Sequence, residues 1–254
     1  MKLVVTLLIL TFLISASAKK KVRARIAGGY RAKPYTMTYL VGILFAKSHL
    51  SKIELGAGTI ISNQWVITVR NVLIYEFIEV HFGSRRPWWG YRRKRVYSQN
   101  FYFHFDKNRT LALVKVPYQK FDERLDRVRI PSYKDWRNHY VGAKTVICGW
   151  GNGKVGGDPP DWLRCAVVKP ITNEECAKYY PQLQYYEMCT SGDDNKGICD
   201  GDIGGSVVSF QGKMMLIGVI NLRPANCSGG WPSIHVRISN HLLWIKTVTG
   251  ISYR

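Results

Sequence analysis

The sequence is poor in acidic residues. Its 254 residues contain 17 Asp and Glu against 37 Lys and Arg, and the formal net charge is +20. The first 25 residues hold six positive charges and no negative one, so residues 26–254 carry +14. Such a balance attracts polyanions and acidic surfaces. Long hydrophobic runs are also absent after the N-terminus, which excludes a later transmembrane helix.

The N-terminus has the pattern of a secretory signal. Lys2 precedes an apolar run over residues 3–14, and small residues at 16–18 provide a cleavage site. This run is too short to cross a bilayer. The sequence therefore predicts a signal peptide over residues 1–18 and a secreted, extracellular protein without a transmembrane segment.

Cysteine is absent from the first 147 residues. An even number of cysteines in a secreted chain predicts three disulfides, and the six lie at Cys148, Cys165, Cys176, Cys189, Cys199 and Cys227. No Cys-x2-Cys or His-x3-His pair accompanies them, so we expect no metal site. The glycines at 151–157 do not precede a helix, which argues against a phosphate loop, and we expect no cofactor.

Short apolar runs separated by turn residues dominate the chain from residue 26 onwards. Runs at 65–69, 78–82, 111–116 and 145–148 are typical of the strands of an all-β barrel or sandwich. The C-terminus differs, because Ser239 is placed to cap a helix that ends at Gly250. No long linker divides the chain.

Three motifs follow one another in a fixed order. Arg25 precedes Ile-Ala-Gly-Gly, residues 148–151 read Cys-Gly-Trp-Gly, and residues 199–205 read Cys-Asp-Gly-Asp-Ile-Gly-Gly. Together they resemble the activation site, the Gly-Trp-Gly turn and the nucleophile loop of the trypsin-like (chymotrypsin-like) serine peptidases. The resemblance covers residues 26–254. It implies an all-β fold of two six-stranded antiparallel β-barrels packed around a cleft, with a C-terminal α-helix. The barrels would span about 26–136 and 137–254, after a basic activation peptide at 19–25.

The three catalytic positions of that family hold other residues here. Asn71 stands where the resemblance places the histidine base, Thr110 where it places the orienting aspartate, and Ile203 where it places the serine nucleophile. An isoleucine side chain has no atom that can attack a carbonyl carbon, and an amide does not accept a proton near neutral pH. We therefore expect no catalytic residue and no peptidase activity, although classification by fold would still place the chain among serine endopeptidases.

The specificity pocket also departs from the family pattern. Its positions fall at Gly197, Asn221, Leu222, Arg223 and Ser233. Gly197 replaces the aspartate that attracts Arg or Lys in trypsins, and Arg223 replaces a glycine at the mouth. We expect a narrowed or blocked pocket.

The activation machinery is retained in part. Cleavage between Arg25 and Ile26 would release an amino terminus, and Asp202 stands at the position of the carboxylate that pairs with it in the family. An inherited structural role for Asp202 is an equal alternative.

The resemblance also implies the disulfide pairs Cys176–Cys189 and Cys199–Cys227. Cys148 and Cys165 lack their usual partners and fall on expected neighbouring strands, so we pair them with each other. The family bridge beside the histidine is absent, with Gly56 and Val72 in its place. Glycosylation sequons begin at Asn108 and Asn226. The first sequon includes Thr110, which is expected to face inward, and the second includes Cys227, which is expected to be in a disulfide. Both features disfavour glycosylation at these sites.

The segment 84–95 concentrates six cations and three aromatic side chains. Relatives often carry acidic calcium ligands in this loop, and their absence argues against calcium binding. Arginine stacks on aromatic rings and pairs with sulfate, phosphate or carboxylate. The alternative is a solvated charged loop, but two adjacent tryptophans favour a binding site. The candidate anion-binding residues are Arg85, Arg86, Trp88, Trp89, Tyr91, Arg92, Arg93, Lys94 and Arg95.

These patterns favour a secreted, non-catalytic serine protease homologue that acts by binding, as an adaptor or regulator of proteases, their inhibitors or receptors. A second hypothesis is a cationic effector that binds a polyanion or a membrane through loop 85–95. An active serine endopeptidase is the least favoured. The expected partner is a protein or a sulfated or acidic polyanion, and secretion argues against nucleic acid. The sequence leaves the oligomeric state open.

Overall fold

A computed structural model describes residues 26, 28–46, 48, 51–152, 162–227 and 229–251. The predicted signal peptide, the predicted activation peptide and Arg25 lie outside the described residues. Within the described ranges, no helix is long and apolar enough to cross a membrane.

The structure consists mainly of β-strands. The strands of the first half are β1 (Tyr30–Arg31), β2 (Leu40–Phe45), β3 (Glu54–Ser62), β4 (Trp65–Val69), β5 (Phe77–Phe82), β6 (Arg92–Tyr97), β7 (Phe101–Phe103) and β8 (Leu111–Lys115). Those of the second half are β9 (Thr145–Gly149), β10 (Arg164–Val168), β11 (Pro170–Ile171), β12 (Glu187–Thr190), β13 (Ser206–Ser209), β14 (Met215–Leu222) and β15 (Ser233–Arg237). The two α-helices of the described residues are α1 (Asn173–Ala177) and α2 (Leu242–Thr249).

The strands form two antiparallel sheets, as predicted. The first has the order β6-β5-β2-β3-β4-β8-β7, and the second has the order β1-β10-β9-β13-β14-β15-β12-β11. Each sheet has six longer strands, and the short end strands β1, β7 and β11 raise the numbers to seven and eight. Because β1 pairs with β10, the described chain begins on the second sheet and then crosses to the first.

Strand β4 illustrates how the sheets are held together. All five of its residues are buried, because successive side chains of a strand point to opposite faces and both faces are covered here. Val66 belongs to the core of the first sheet. Ile67 and Val69 instead belong to a cluster that includes Val219 and Trp244 from the second half of the chain. The apolar run therefore serves two cores.

The C-terminal helix begins later than the sequence predicts. A 3-10 turn over Ile238–His241 precedes α2, and His241 occupies the N-cap position. The prediction that Ser239 caps the helix is wrong, because the chain leaves a buried strand through this turn and the Ser239 hydroxyl is buried inside it without a hydrogen-bond partner among the described residues. The predicted end is confirmed by Gly250, whose φ of 72° closes the helix.

Three disulfides tie the second half together. They join Cys148 to Cys165, Cys176 to Cys189 and Cys199 to Cys227, which are the predicted pairs. The first links directly opposed residues of β9 and β10.

Candidate functional site

Ile203 lies in a turn that contacts both sheets. Its half-buried side chain packs against three core clusters, one in the first sheet, one in the second and one shared between them. Its carbonyl oxygen accepts a hydrogen bond of 2.8 Å from the amide of Ala57 in β3. The side chain at the predicted nucleophile position is therefore part of the apolar packing between the sheets.

Gly204 holds this turn in place. Its φ is +86°, and a Cβ atom there would lie 2.2 Å from the carbonyl oxygen of Ala57. Its amide donates to the carbonyl of Ile220 in β14 at 2.8 Å. Only glycine combines this backbone angle with so close an approach, so the local sequence fixes Ile203 between β3 and β14.

The positions predicted for the base and its orienting acid lie beside this turn. Asn71 is exposed on a 3-10 turn, and the amide of the preceding Arg70 donates to the carbonyl of Thr110 at 2.6 Å. A Cβ atom at Gly56 would meet Val72 Cγ1 at 2.6 Å and the carbonyl oxygen of Ile203 at 3.3 Å. The segment that carries Asn71 therefore meets the Ile203 turn at Gly56, and it is bonded to Thr110 through the amide of Arg70.

Gly56 and Val72, at the positions of the absent family bridge, fit each other. The valine methyl occupies the space that a side chain at position 56 would need. Apolar contact therefore takes the place of a covalent link at this point of the first sheet.

Thr110 takes part in a polar connection between the two halves of the chain. Its hydroxyl donates to Asn221 Oδ1 at 3.0 Å, and Asn221 Nδ2 lies 3.5 Å from Glu187 Oε1. Burial raises the pKa of Glu187, and hydrogen bonds from Gln184 and Asn221 partly offset this effect. The side chain at the predicted orienting position is thus a neutral hydroxyl bonded to an amide.

Two of the predicted pocket positions lie among buried neutral groups. Gly197 and Ser233 are both buried, and a Cβ atom at Gly197 would lie 3.7 Å from Ser233 Oγ. Nearby in the same strand as Ser233, the fully buried His235 lies 2.9 Å from the hydroxyl of Thr190. Burial lowers the pKa of His235 to about 3, so this imidazole is neutral at physiological pH.

Arg223 is held by contacts with neighbouring loop residues. Its Nε pairs with a carboxylate oxygen of Asp200, and its Nη1 donates to the carbonyl of Pro224 at 3.0 Å. Asp200 precedes the Ile203 turn, whereas Arg223 follows β14. The ion pair therefore bridges the two segments. Leu222, next to Arg223 in the sequence, is exposed.

Asp202 is buried within a cradle of backbone groups. Its carboxylate accepts hydrogen bonds from the amide of Gly151 at 2.7 Å and of Cys199 at 2.8 Å. A Cβ atom at Gly149 or Gly151 would lie 2.0 or 2.2 Å from its oxygens. Burial raises the pKa of Asp202 to about 7, although the two amide hydrogen bonds act in the opposite direction. Ile26 is fully buried in the core of the second sheet.

The two sequons differ in their surroundings. Asn108 and Asn226 are both exposed. The Thr110 hydroxyl of the first sequon is engaged with Asn221, and Ser228 of the second lies outside the described residues.

The six cations of the predicted anion-binding loop divide into three groups. Arg92 pairs with Asp122 at 2.7 Å and Arg95 with Glu79 at 3.0 Å, so their charge is shared with carboxylates. Arg93 and Lys94 are exposed on β6, which lies at one end of its sheet.

Arg85 and Arg86 instead turn toward aromatic residues from elsewhere in the chain. The fold brings Arg31, Tyr35, Arg124 and Trp162 beside them. No local sequence pattern brings these residues together, because Arg31 and Tyr35, Arg124 and Trp162 come from three separate parts of the chain.

Comparison with known proteins agrees with this architecture. The trypsin family model matches residues 26–245. Serine protease 1 of Drosophila melanogaster is 30% identical over 243 residues, covering 92% of this chain and 89% of the relative. Collagenase of Hypoderma lineatum is 27% identical and covers 90% of this chain and 89% of its own length. A solved structure of HL collagenase superposes with a TM-score of 0.81, at 24% identity, over 89% of this chain and 100% of that one. By sequence and by fold, the chain belongs to the trypsin family.

Proposed function

We propose that this trypsin-family protein is secreted, has no peptidase activity and acts by binding, as an adaptor or regulator of proteases, their inhibitors or receptors. The observation that carries the proposal is Ile203. Peptide cleavage in this family requires a nucleophile in that turn, and the isoleucine there packs against the cores of both sheets.

The surroundings of Ile203 support the same proposal. A serine introduced alone would still have no base, because Asn71 is an exposed amide and Thr110 donates its hydroxyl to Asn221. The ion pair between Arg223 and Asp200 would also oppose entry of a substrate side chain. The relatives are named as proteases and a collagenase, and these names do not establish an activity for this chain.

Hydrolysis of labelled casein and of a mixed peptide library tests this proposal. The secreted protein is assayed before and after cleavage following Arg25, beside I203S and the triple variant N71H/T110D/I203S. Wild type and I203S are expected to show no turnover above buffer. Turnover by purified wild type would refute the loss of activity. The triple variant is the matched control, because turnover by it alone would trace the inactivity to these three positions.

A second candidate function is binding of a polyanion. It is favoured by the exposure of Trp89 in the loop before β6 and of Arg93 and Lys94 on β6, the end strand of the first sheet. Salt elution from immobilised heparin tests it, beside a variant with glutamine at positions 92–95. Late elution of wild type and earlier elution of the variant would support the proposal. Early elution of wild type would contradict it.

A further inference from the structure

A cleft of about 470 Å³ opens beside loop 85–91. We name this cleft, together with the recess that adjoins it, the arginine–tryptophan cleft. Its principal residues across the two spaces are Arg31, Tyr35, Arg85, Arg86, Arg124 and Trp162. The recess shares Tyr35, Arg85, Arg124 and Trp162 with the larger space and adds Arg31 and Lys33. Five cations therefore line the two spaces, and no carboxylate side chain is among the described lining residues.

The arginines of the cleft are stacked on aromatic rings. Trp162 has the guanidinium carbon of Arg31 at 3.6 Å from its ring centre and that of Arg86 at 5.1 Å. Tyr35 has those of Arg85 and Arg124 at 5.3 and 5.5 Å. Stacking on a ring holds the planar guanidinium and leaves its N–H edge free to donate to an oxyanion.

Among the residues that the structure describes, carboxylates neutralise little of this charge. Within the described part of the chain, the single carboxylate at salt-bridge distance from these four arginines is Glu123, at 3.5 Å from Arg124. The Glu123 side chain is 80% exposed, so this pair is weak. Arg31, Arg85 and Arg86 contact rings instead.

The backbone of the cleft is held in place before any ligand binds. The carbonyl of Arg85 accepts hydrogen bonds from the amide of Leu163 at 2.9 Å and from the indole of Trp150 at 3.3 Å. The loop closes through a bridge between Arg86 and Trp89, and Pro87 between them is buried. Such order lowers the entropy lost on binding.

From this geometry we propose that the arginine–tryptophan cleft binds a sulfated saccharide. Guanidinium groups pair with sulfate in a bidentate manner, and the volume suits a small ligand or a short piece of a chain. The exposed ring of Trp89 on the rim can pack against a sugar ring. The exposed Arg93 and Lys94 of β6 come shortly after the cleft residue Tyr91 in the sequence and offer further cationic contacts to a longer chain.

The occupied ring faces favour a saccharide over single-stranded nucleic acid. Nucleic acid of that kind binds by stacking its bases on open aromatic faces, whereas guanidinium groups already contact Trp162 and Tyr35. A sulfated saccharide needs many cationic donors and few free rings. The inference rests on the proposed polyanion binding and is independent of whether the protein is a peptidase.

Binding of a heparin hexasaccharide, measured by titration calorimetry near 0.15 M salt, tests the proposal. The cleft variant is R31Q/R85Q/R124Q, and the control K107Q/K134Q/K213Q removes the same charge from exposed sites elsewhere. We expect the cleft variant to weaken affinity at least about tenfold and the control to weaken it less than about threefold. W89A, which alters an exposed side chain, should weaken it by a smaller factor than the cleft variant. Thermal unfolding verifies that all variants are folded.

The other outcomes separate this inference from the broader proposal. If the cleft variant and the control weakened the affinity equally, the cleft would not be the binding site. The same conclusion would follow if R93Q/K94Q alone lost affinity. In both cases the broader proposal of polyanion binding would stand. Absence of hexasaccharide binding by wild type would overturn both. Equal binding of a desulfated hexasaccharide, or tighter binding of a single-stranded oligonucleotide or of phosphatidylserine vesicles at the cleft, would overturn the assignment to a sulfated saccharide.

Discussion

Shortening Ile203 is expected to destabilise the fold, because its side chain packs against clusters of both sheets. Truncation of a buried isoleucine to alanine costs about 2–5 kcal/mol. Because Ile203 is half-buried, I203A should lower the free energy of unfolding by about 2–3 kcal/mol, at the lower end of that range. I203S should cost about 1 kcal/mol more, because its hydroxyl would be partly withdrawn from water.

Thermal unfolding measures this effect. For a domain of this size, each kcal/mol lowers Tm by about 2–4 °C, so I203A should unfold about 5–10 °C below wild type. I203V keeps most of the contacts and should lose about 1 kcal/mol. I53A is the matched control, because Ile53 is 55% exposed. A Tm for I203A no lower than that of I53A would refute the structural role of Ile203.

Three further predictions concern other parts of the fold. The variant G56C/V72C should form a disulfide, since Val72 Cγ1 lies 2.6 Å from a Cβ atom at position 56. This bridge should raise the free energy of unfolding by about 3 kcal/mol, which a raised Tm and the absence of free thiol would show. G151A should greatly reduce the yield of folded protein, because its methyl group would lie 2.2 Å from the Asp202 carboxylate. His235 has a pKa of about 3 in the fold and about 6.5 when unfolded. The unfolded chain therefore takes up a proton on this imidazole below pH 6.5 and the folded protein does not, so the contribution of His235 to stability is present above pH 6.5 and is lost as pH falls toward 3. Between pH 6.5 and 5, the free energy of unfolding measured in urea should fall by about 2 kcal/mol less in H235F than in wild type.

Each of these predictions has a control or a contrary outcome. Failure of the two cysteines to pair under oxidising conditions would contradict the contact between positions 56 and 72. G142A is the control for G151A, because its methyl group lies at a positive φ without a neighbour within 4 Å. G142A should therefore lower the stability by only about 1 kcal/mol. If G151A lowered the stability no more than G142A does, the steric argument would be rejected. Identical pH dependence of wild type and H235F would show that His235 also titrates in the folded protein near its ordinary pKa.

The sequence predicts those features that depend on local motifs and their order. The pairing of Cys148 with Cys165 follows from expected neighbouring strands, and the structure places the two residues directly opposite each other. Gly250 ends the last helix because its left-handed conformation is a local property. Ser239 misled the prediction of the helix start, since a buried turn separates it from α2.

Features that depend on distant contacts could not be predicted in the same way. Arg31 and Trp162 are 131 positions apart and meet only because the first strand pairs with β10. The partner of Arg223 is a loop aspartate whose position depends on the turn around Ile203. Arg92 and Arg95 belong to the predicted cationic loop, but their pairing with Asp122 and Glu79 required the folded sheet.

Intact-mass analysis after treatment with a fluorophosphonate probe tests the proposed absence of a catalytic nucleophile most directly. The secreted protein is cleaved after Arg25 before treatment, and an active trypsin serves as the labelled reference. The proposed function predicts an unchanged mass under conditions that label the reference completely. A stoichiometric adduct, mapped by peptide sequencing to any residue of the Ile203 turn or of the segments around Asn71 and Thr110, would contradict it.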